Sequence, residues 1–231
     1  MDKSSFKLLF IIFILLNIFQ FINPKIKITE NKIGEIDGYF YELWKSDYIG
    51  LTSLSLENPH SFYCSWNKID NAVFHLGKKL GYTTFFKNLS DITVNYDVDY
   101  NPNGNSYICI NGYLSDFYEE FFIVENWDSW AKPSSAKSLG NISIDDGIYD
   151  IYYNEVIYPP NIHGILKKIE YWSVRREKRS QGTVSVEKHF KSWIEKGLNI
   201  DIISRISFLI EGFQSSGSAY VNNLEIIINE K

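Results

Sequence analysis

Arg205-Ile-Ser-Phe-Leu-Ile-Glu-Gly-Phe213 alternates with a period of two, so that Ile206, Phe208 and Ile210 form one apolar face. The opposite face carries Arg205, Ser207, Leu209, Glu211 and Phe213. A β-strand puts every second side chain on the same side, and this run reads as a strand buried on one face. Tyr118-Glu-Glu-Phe-Phe-Ile-Val-Glu-Asn-Trp127 follows the same rule. There Glu120 shares a face with Phe122 and Val124, while Glu119, Phe121, Ile123 and Glu125 take the other. Each strand thus projects a carboxylate from a partly apolar surface. A carboxyl group among apolar side chains loses hydration, which raises its pKa and suits it to donate a proton.

From about Gly38 onward, short runs rich in Tyr, Phe, Ile and Val alternate with turn residues. Examples of the punctuation are Asn101-Pro-Asn-Gly-Asn105, Asp145-Asp-Gly147 and Tyr158-Pro-Pro-Asn161. The spacing predicts an all-β domain of the sandwich, jelly-roll or barrel kind, and no repeat or linker divides residues 38–229. One helical pattern interrupts it, from Ser185 to Leu198. Ser185 is placed to cap the first turn, Glu187 suits the positive end, and Phe190, Trp193, Ile194 and Gly197 recur at helical spacing. The helix is expected to pack its apolar face on the back of a sheet, with His189 as a packing residue.

Composition agrees with a β domain. In 231 residues there are 23 Lys+Arg against 28 Asp+Glu, a net charge of -5, which argues against a basic nucleic-acid binder. A hydrophobic fraction of 45% excludes a disordered chain. Sixteen Phe, 16 Tyr and 6 Trp are many, and such rings suit pleated faces and, when exposed, sugar binding.

At the N-terminus, Lys3 and Lys7 precede an apolar run from Leu8 to Ile22. A bilayer span needs about 20 residues, so 1–24 read as a secretory signal peptide, with an uncleaved anchor as the alternative. Residues 25–37 then form an N-terminal extension. Asn88-Leu89-Ser90 and Asn141-Ile142-Ser143 are glycosylation sequons that fit secretion. Cys64 and Cys109 leave two readings open, a disulfide or two buried apolar thiols. His60, His75, His163 and His189 are scattered and show no zinc spacing.

Eight segments in order resemble the endo-1,4-β-xylanases of glycoside hydrolase family 11. They are Gly38-Tyr-Phe-Tyr-Glu-Leu-Trp44, Ser61-Phe-Tyr-Cys-Ser-Trp66 with Asn71, Asn103-Gly-Asn-Ser-Tyr107, Glu120-Phe-Phe-Ile-Val-Glu-Asn-Trp127 and Gly147-Ile-Tyr-Asp-Ile-Tyr152. Tyr171-Trp-Ser-Val-Arg175, Gly182-Thr-Val-Ser-Val186 and Glu211-Gly-Phe-Gln-Ser-Ser-Gly-Ser218 complete the set. The resemblance implies a catalytic domain over 38–231, folded as a β-jelly roll of two antiparallel sheets around a long cleft, with one outer helix. It implies a retaining hydrolase of xylan with Glu120 as nucleophile and Glu211 as acid/base. Asn71 matches the residue that hydrogen-bonds the acid/base. Trp44 matches a ring that stacks on xylose, a core tryptophan being the other reading. Trp172 and Gln214 fall in matching motifs as substrate contacts, and Pro160 with Ile162 matches the tip of a thumb hairpin over the substrate. A secreted monomer needing neither metal nor cofactor is implied.

Several positions depart from the family pattern. Asn111 and Phe122 stand where cleft tyrosines are usual, Val156 where a thumb arginine is usual, Glu170 for a glutamine and Arg205 for a tyrosine. Arg205 is a candidate to restore the charge that Val156 lacks. The altered positions keep a second reading open, a weak or inactive relative that binds the polysaccharide. The basic run Arg175-Arg-Glu-Lys-Arg179 falls between two strand motifs and reads as a solvated turn.

Overall fold

The computed structural model describes residues 26–46, 49–114, 118–129, 135–157 and 167–231. Thirteen described strands form one continuous hydrogen-bonded system in two layers, a β-jelly roll. One layer holds β1 (Ile26–Ile28), β4 (Leu51–Asn58), the first half of β5 (Ser61–Lys79), the second half of β13 (Ile203–Glu230), β6 (Leu89–Asn103) and β12 (Gln181–Ser185). The other holds β2 (Lys32–Ile36), β3 (Tyr39–Lys45), the second half of β5, the first half of β13, β7 (Ser106–Leu114), β8 (Glu119–Asp128), β11 (Lys167–Arg175), β10 (Gly147–Ile157) and β9 (Lys137–Ile144). All pairs are antiparallel except β8 with β11. Within the stretch expected as an extension ahead of the domain, Ile26–Ile28 and Lys32–Ile36 form β1 and β2, and Ile28 and Ile36 join the core.

The layers are joined because β5 and β13 pass through both. Their mutual register slips between Ser215 and Gly217, where Gln214 has φ 46° and Lys68 φ 52°, a local irregularity that re-aims both strands. The predicted alternation holds along the second layer. Phe74, Leu76, Ile108, Ile110, Phe121, Ile123, Ile206, Phe208 and Ile210 face the core between the layers. The residues between them face outward, where Tyr107, Cys109, Phe122, Val124, Trp172 and Leu209 make a second apolar cluster. Cys64 belongs to the first cluster and Cys109 to the second, and both thiols are free and buried.

Helix α1 (Val186–Glu195) is shorter than its sequence pattern. Phe190 and Trp193 are buried against Phe121, and Trp193 also against Tyr171, on the side of the second layer away from the cleft. Ile194 is exposed. The Ser185 hydroxyl makes no cap; the Ser185 N–H donates to Asp145 Oδ2 at 2.8 Å, so a carboxylate from the β9–β10 turn serves the positive helix end. That turn is Asp145-Asp146, both at positive φ, as the Asp-Asp-Gly signal predicted.

The basic run at 175–179 is not a solvated turn throughout. Arg176, Glu177 and Lys178 are exposed, whereas Arg175 is buried and donates to the carbonyls of Asp145, Asp146 and Glu177 and to Tyr149 Oη. Arg179 ion-pairs with the fully buried Glu125. Arg179 turns inward because Glu125, on the core face of β8, needs a charged partner there, and Arg175 does so to serve three turn carbonyls and Tyr149, whose hydroxyl donates to Glu125.

Candidate active site

The outward face of the second layer carries a cleft of about 560 Å³, within the range of sites that enclose small ligands. Strand alternation delivers its lining. β3 supplies Glu42 and Trp44; β5 supplies Asn71, Val73 and His75; β7 supplies Tyr107 and Tyr113. β8 contributes Glu120 and Phe122, β11 contributes Lys168, Glu170 and Trp172, and β13 contributes Leu209 and Glu211. The indole of Trp172 stacks on Phe122 at 3.8 Å with 6° between planes, and Tyr107 meets Trp172 edge-on.

Glu120 and Glu211 flank β7 on its two sides, so both carboxyl groups open on the same space. Glu120 is buried; its Oε1 accepts from Asn111 Nδ2 at 2.8 Å and its Oε2 pairs with the ammonium of Lys168. Asn111 itself is fully buried beneath the cleft, and its Nδ2 also reaches the Phe121 carbonyl at 3.0 Å. Glu119 takes the opposite face, as strand parity requires.

Glu211 accepts a hydrogen bond from the Tyr107 hydroxyl and another from Asn71. Loss of hydration raises its pKa above the ordinary carboxylate value; the hydrogen bonds from Tyr107 and Asn71 pull back, the charge of Glu120 raises it further and Lys168 lowers it. Gly212 follows because a Cβ there would lie 2.6 Å from Trp66 Nε1, the indole that packs beneath and donates to Ser215 Oγ at 3.0 Å.

Trp44 is 41% exposed in the cleft and is not a core tryptophan. Gln214 is exposed, its amide 3.4 Å from Asp70, and it is not among the lining residues. Pro160 and Ile162 lie outside the described residues, as does His163. Arg205 does not serve Glu120. It ion-pairs with Glu42 at 3.1 Å and stacks over Phe40 and Tyr113, and the cation beside Glu120 is Lys168. Glu170 accepts from Asn154 at 2.9 Å and Trp172 Nε1 at 3.3 Å.

Lys168, Glu42 and His75 were missed as cleft residues by sequence reasoning. Counting back by twos from Trp172 would have found Lys168, and from Trp44 would have found Glu42. His75 is buried against Ser207 Oγ at 3.0 Å and held neutral, its pKa pushed well down by burial and then by Arg205.

The jelly-roll cleft is floored by stacked rings, and two glutamates in different environments converge on it, an arrangement of the kind glycoside hydrolases use. Residues 36–222 match the family described as Glycosyl hydrolases family 11. Over 201 residues the chain is 43% identical to Endo-1,4-beta-xylanase A of Thermoclostridium stercorarium, covering 87% of this chain and 30% of that protein. It is 42% identical to Endo-1,4-beta-xylanase A of Bacillus pumilus, covering 87% and 86%. The family 11 xylanase structure from Neocallimastix patriciarum superposes with a TM-score of 0.78 at 27% identity, covering 88% of this chain and all of that one. The chain spans less than a third of the first relative's length and most of the second's. It belongs to glycoside hydrolase family 11.

Proposed function

We propose that the protein hydrolyses internal β-1,4 bonds of xylan with retention of configuration, Glu120 acting as nucleophile and Glu211 as acid/base. The observation that carries this reading is the contrast between the two carboxyl groups. Loss of hydration raises Glu211 above the ordinary carboxylate value, which suits it to donate a proton, whereas Glu120 sits against an ammonium and an amide N–H. Glu211 donates its proton to the leaving glycosidic oxygen as Glu120 attacks the anomeric carbon and forms a glycosyl ester. The Glu211 carboxylate then takes a proton from water, which attacks the same carbon and releases the sugar and Glu120. Trp44, Trp172 and Phe122 supply apolar faces for the sugar rings, and Asn71 and Tyr107 orient Glu211.

Reducing ends released from xylan test the activity, with Glu120→Gln and a cellulose substrate alongside, and the anomer first formed is read by NMR. The expected result is release from xylan by the natural chain only, with the β-anomer first. Equal and negligible release by both proteins overturns the hydrolase reading and leaves a polysaccharide-binding cleft. Residues 1–24, outside the described residues, are read as a secretory signal. The exposure of both sequon asparagines, Asn88 and Asn141, supports this reading, and recovery of the protein from culture medium tests it.

A further inference from the structure

Lys168 precedes Glu170 by two residues and Trp172 by four, so strand alternation turns all three toward the cleft. Its side chain is 23% exposed, its ammonium touches Oε2 of Glu120, and Oε1 of Glu170 stands 3.6 Å away. The same charge also acts on Glu211, whose pKa it lowers. One ammonium is therefore within electrostatic reach of both carboxyl groups assigned to the reaction.

We propose that Lys168 is the shared countercharge of the catalytic pair, supplied by a strand of the sheet itself. The assignment rests on the hydrolase reading above. When Glu120 attacks, the C1–O bond to the leaving group breaks and its electron pair goes to the leaving oxygen, which takes the Glu211 proton. A new C1–O bond makes Glu120 a neutral ester, and Glu211 becomes a carboxylate. The negative charge moves from one glutamate to the other while the net charge of the site is unchanged. Lys168 is the cation that both charge states share, and Glu170 keeps its ammonium tethered when Glu120 is esterified.

Among the described residues, the groups that face this pair from the surrounding strands are Tyr107 and Tyr113 on β7, Glu211 and Arg205 on β13, Glu170 on β11, Glu42 on β3 and His75 on β5. Burial raises both tyrosine hydroxyls, so they stay protonated across the working range, and His75 stays neutral. Arg205 is engaged with Glu42. Loss of the Lys168 charge therefore falls on Glu120, Glu211 and Glu170. Removing a cation beside a carboxyl group raises the pH at which that group ionises.

The test compares the full chain with Lys168→Met and Lys168→Arg, using an aryl β-xylobioside across the pH range. Thermal unfolding serves as a check on folding. In Lys168→Met the alkaline limb of the kcat/KM profile, set by Glu211, moves to higher pH, and kcat falls by about tenfold with KM nearly unchanged. Lys168→Arg keeps the charge and restores the natural profile. A folded Lys168→Met whose profile superimposes on the natural one, or that changes KM alone, overturns the assignment. If Lys168→Met does not fold, Lys168→Gln is read by the same criteria. A natural chain that releases nothing from xylan overturns the hydrolase reading and this assignment together, whereas an active natural chain with an unmoved variant overturns this assignment alone.

Discussion

Glu120 and Glu125 stand five residues apart on β8 and face opposite sides of the same layer. Both are buried, at 5% and 0% exposure, and both touch a cation. Glu125 accepts from Tyr149 Oη at 2.6 Å and Tyr96 Oη at 2.8 Å in addition to Arg179, and Arg175 braces Tyr149 from behind. Its surroundings are closed. Glu120 has an amide and an ammonium for partners, and beyond them an open cleft walled by Phe122 and Trp172. Burial and a counter-ion are thus common to the carboxylate proposed to react and to a structural one. What separates them is whether a sugar carbon can reach the oxygen.

The largest effect should come from breaking the cleft side of this comparison. Glu120→Gln should lower xylan turnover at least about a thousandfold, equivalent to roughly 4 kcal/mol of transition-state stabilisation, while the urea midpoint stays put. Glu125→Ala should do the reverse. It strands Arg179 and two hydroxyls in the core and should cost about 3–5 kcal/mol of stability in urea unfolding, with kcat of the folded fraction retained. If Glu125→Ala abolished kcat in protein that remained folded, the division between the two faces would be wrong.

Finer tests sharpen each side. Tyr107→Phe removes a hydrogen bond that lowers Glu211, so the alkaline limb of kcat/KM should move to higher pH; a move to lower pH would contradict the role of Tyr107. On the core side, burial, with help from Arg179 and Arg175, holds His189 at about 3 against 6.5 in the unfolded chain. The unfolded chain then takes up a proton first as pH falls. This part of the stability is complete above pH 6.5 and is lost progressively down to about 3. His189→Gln should flatten that acid-side slope, seen as unfolding midpoints compared between pH 7 and 4.

Strand parity made much of this legible. The faces of 118–127 and 205–213 were readable from sequence because a period of two has no alternative once one face is apolar, and the same parity separated Glu120 from Glu119. The helix was legible from Phe190 and Trp193, but its cap was not, because Asp145 arrives from a turn forty residues earlier in the chain. Arg175 and Arg179 were misread for a related reason. A basic run looks solvated unless its buried anion is known, and Glu125 lies fifty-four residues from Arg179. Lys168 was not legible because the family pattern marks the positions of a missing arginine or tyrosine, whereas the cation against Glu120 stands on a different strand.

The two long strands that stitch the layers together also set an order of events. β13 is the last of the strands in chain order, yet it lies between β5 and β7 in one layer and between β5 and β6 in the other. As the chain leaves the ribosome, β5, β6 and β7 must wait with open edges until residues 203–230 arrive to close them. Such late, long-range closure makes folding slow and leaves unpaired edges exposed to other chains. Truncating residues 218–230, which pair with β6 in the other layer and line no part of the cleft, would therefore harm this protein during its synthesis even though Glu120 and Glu211 remain in the chain.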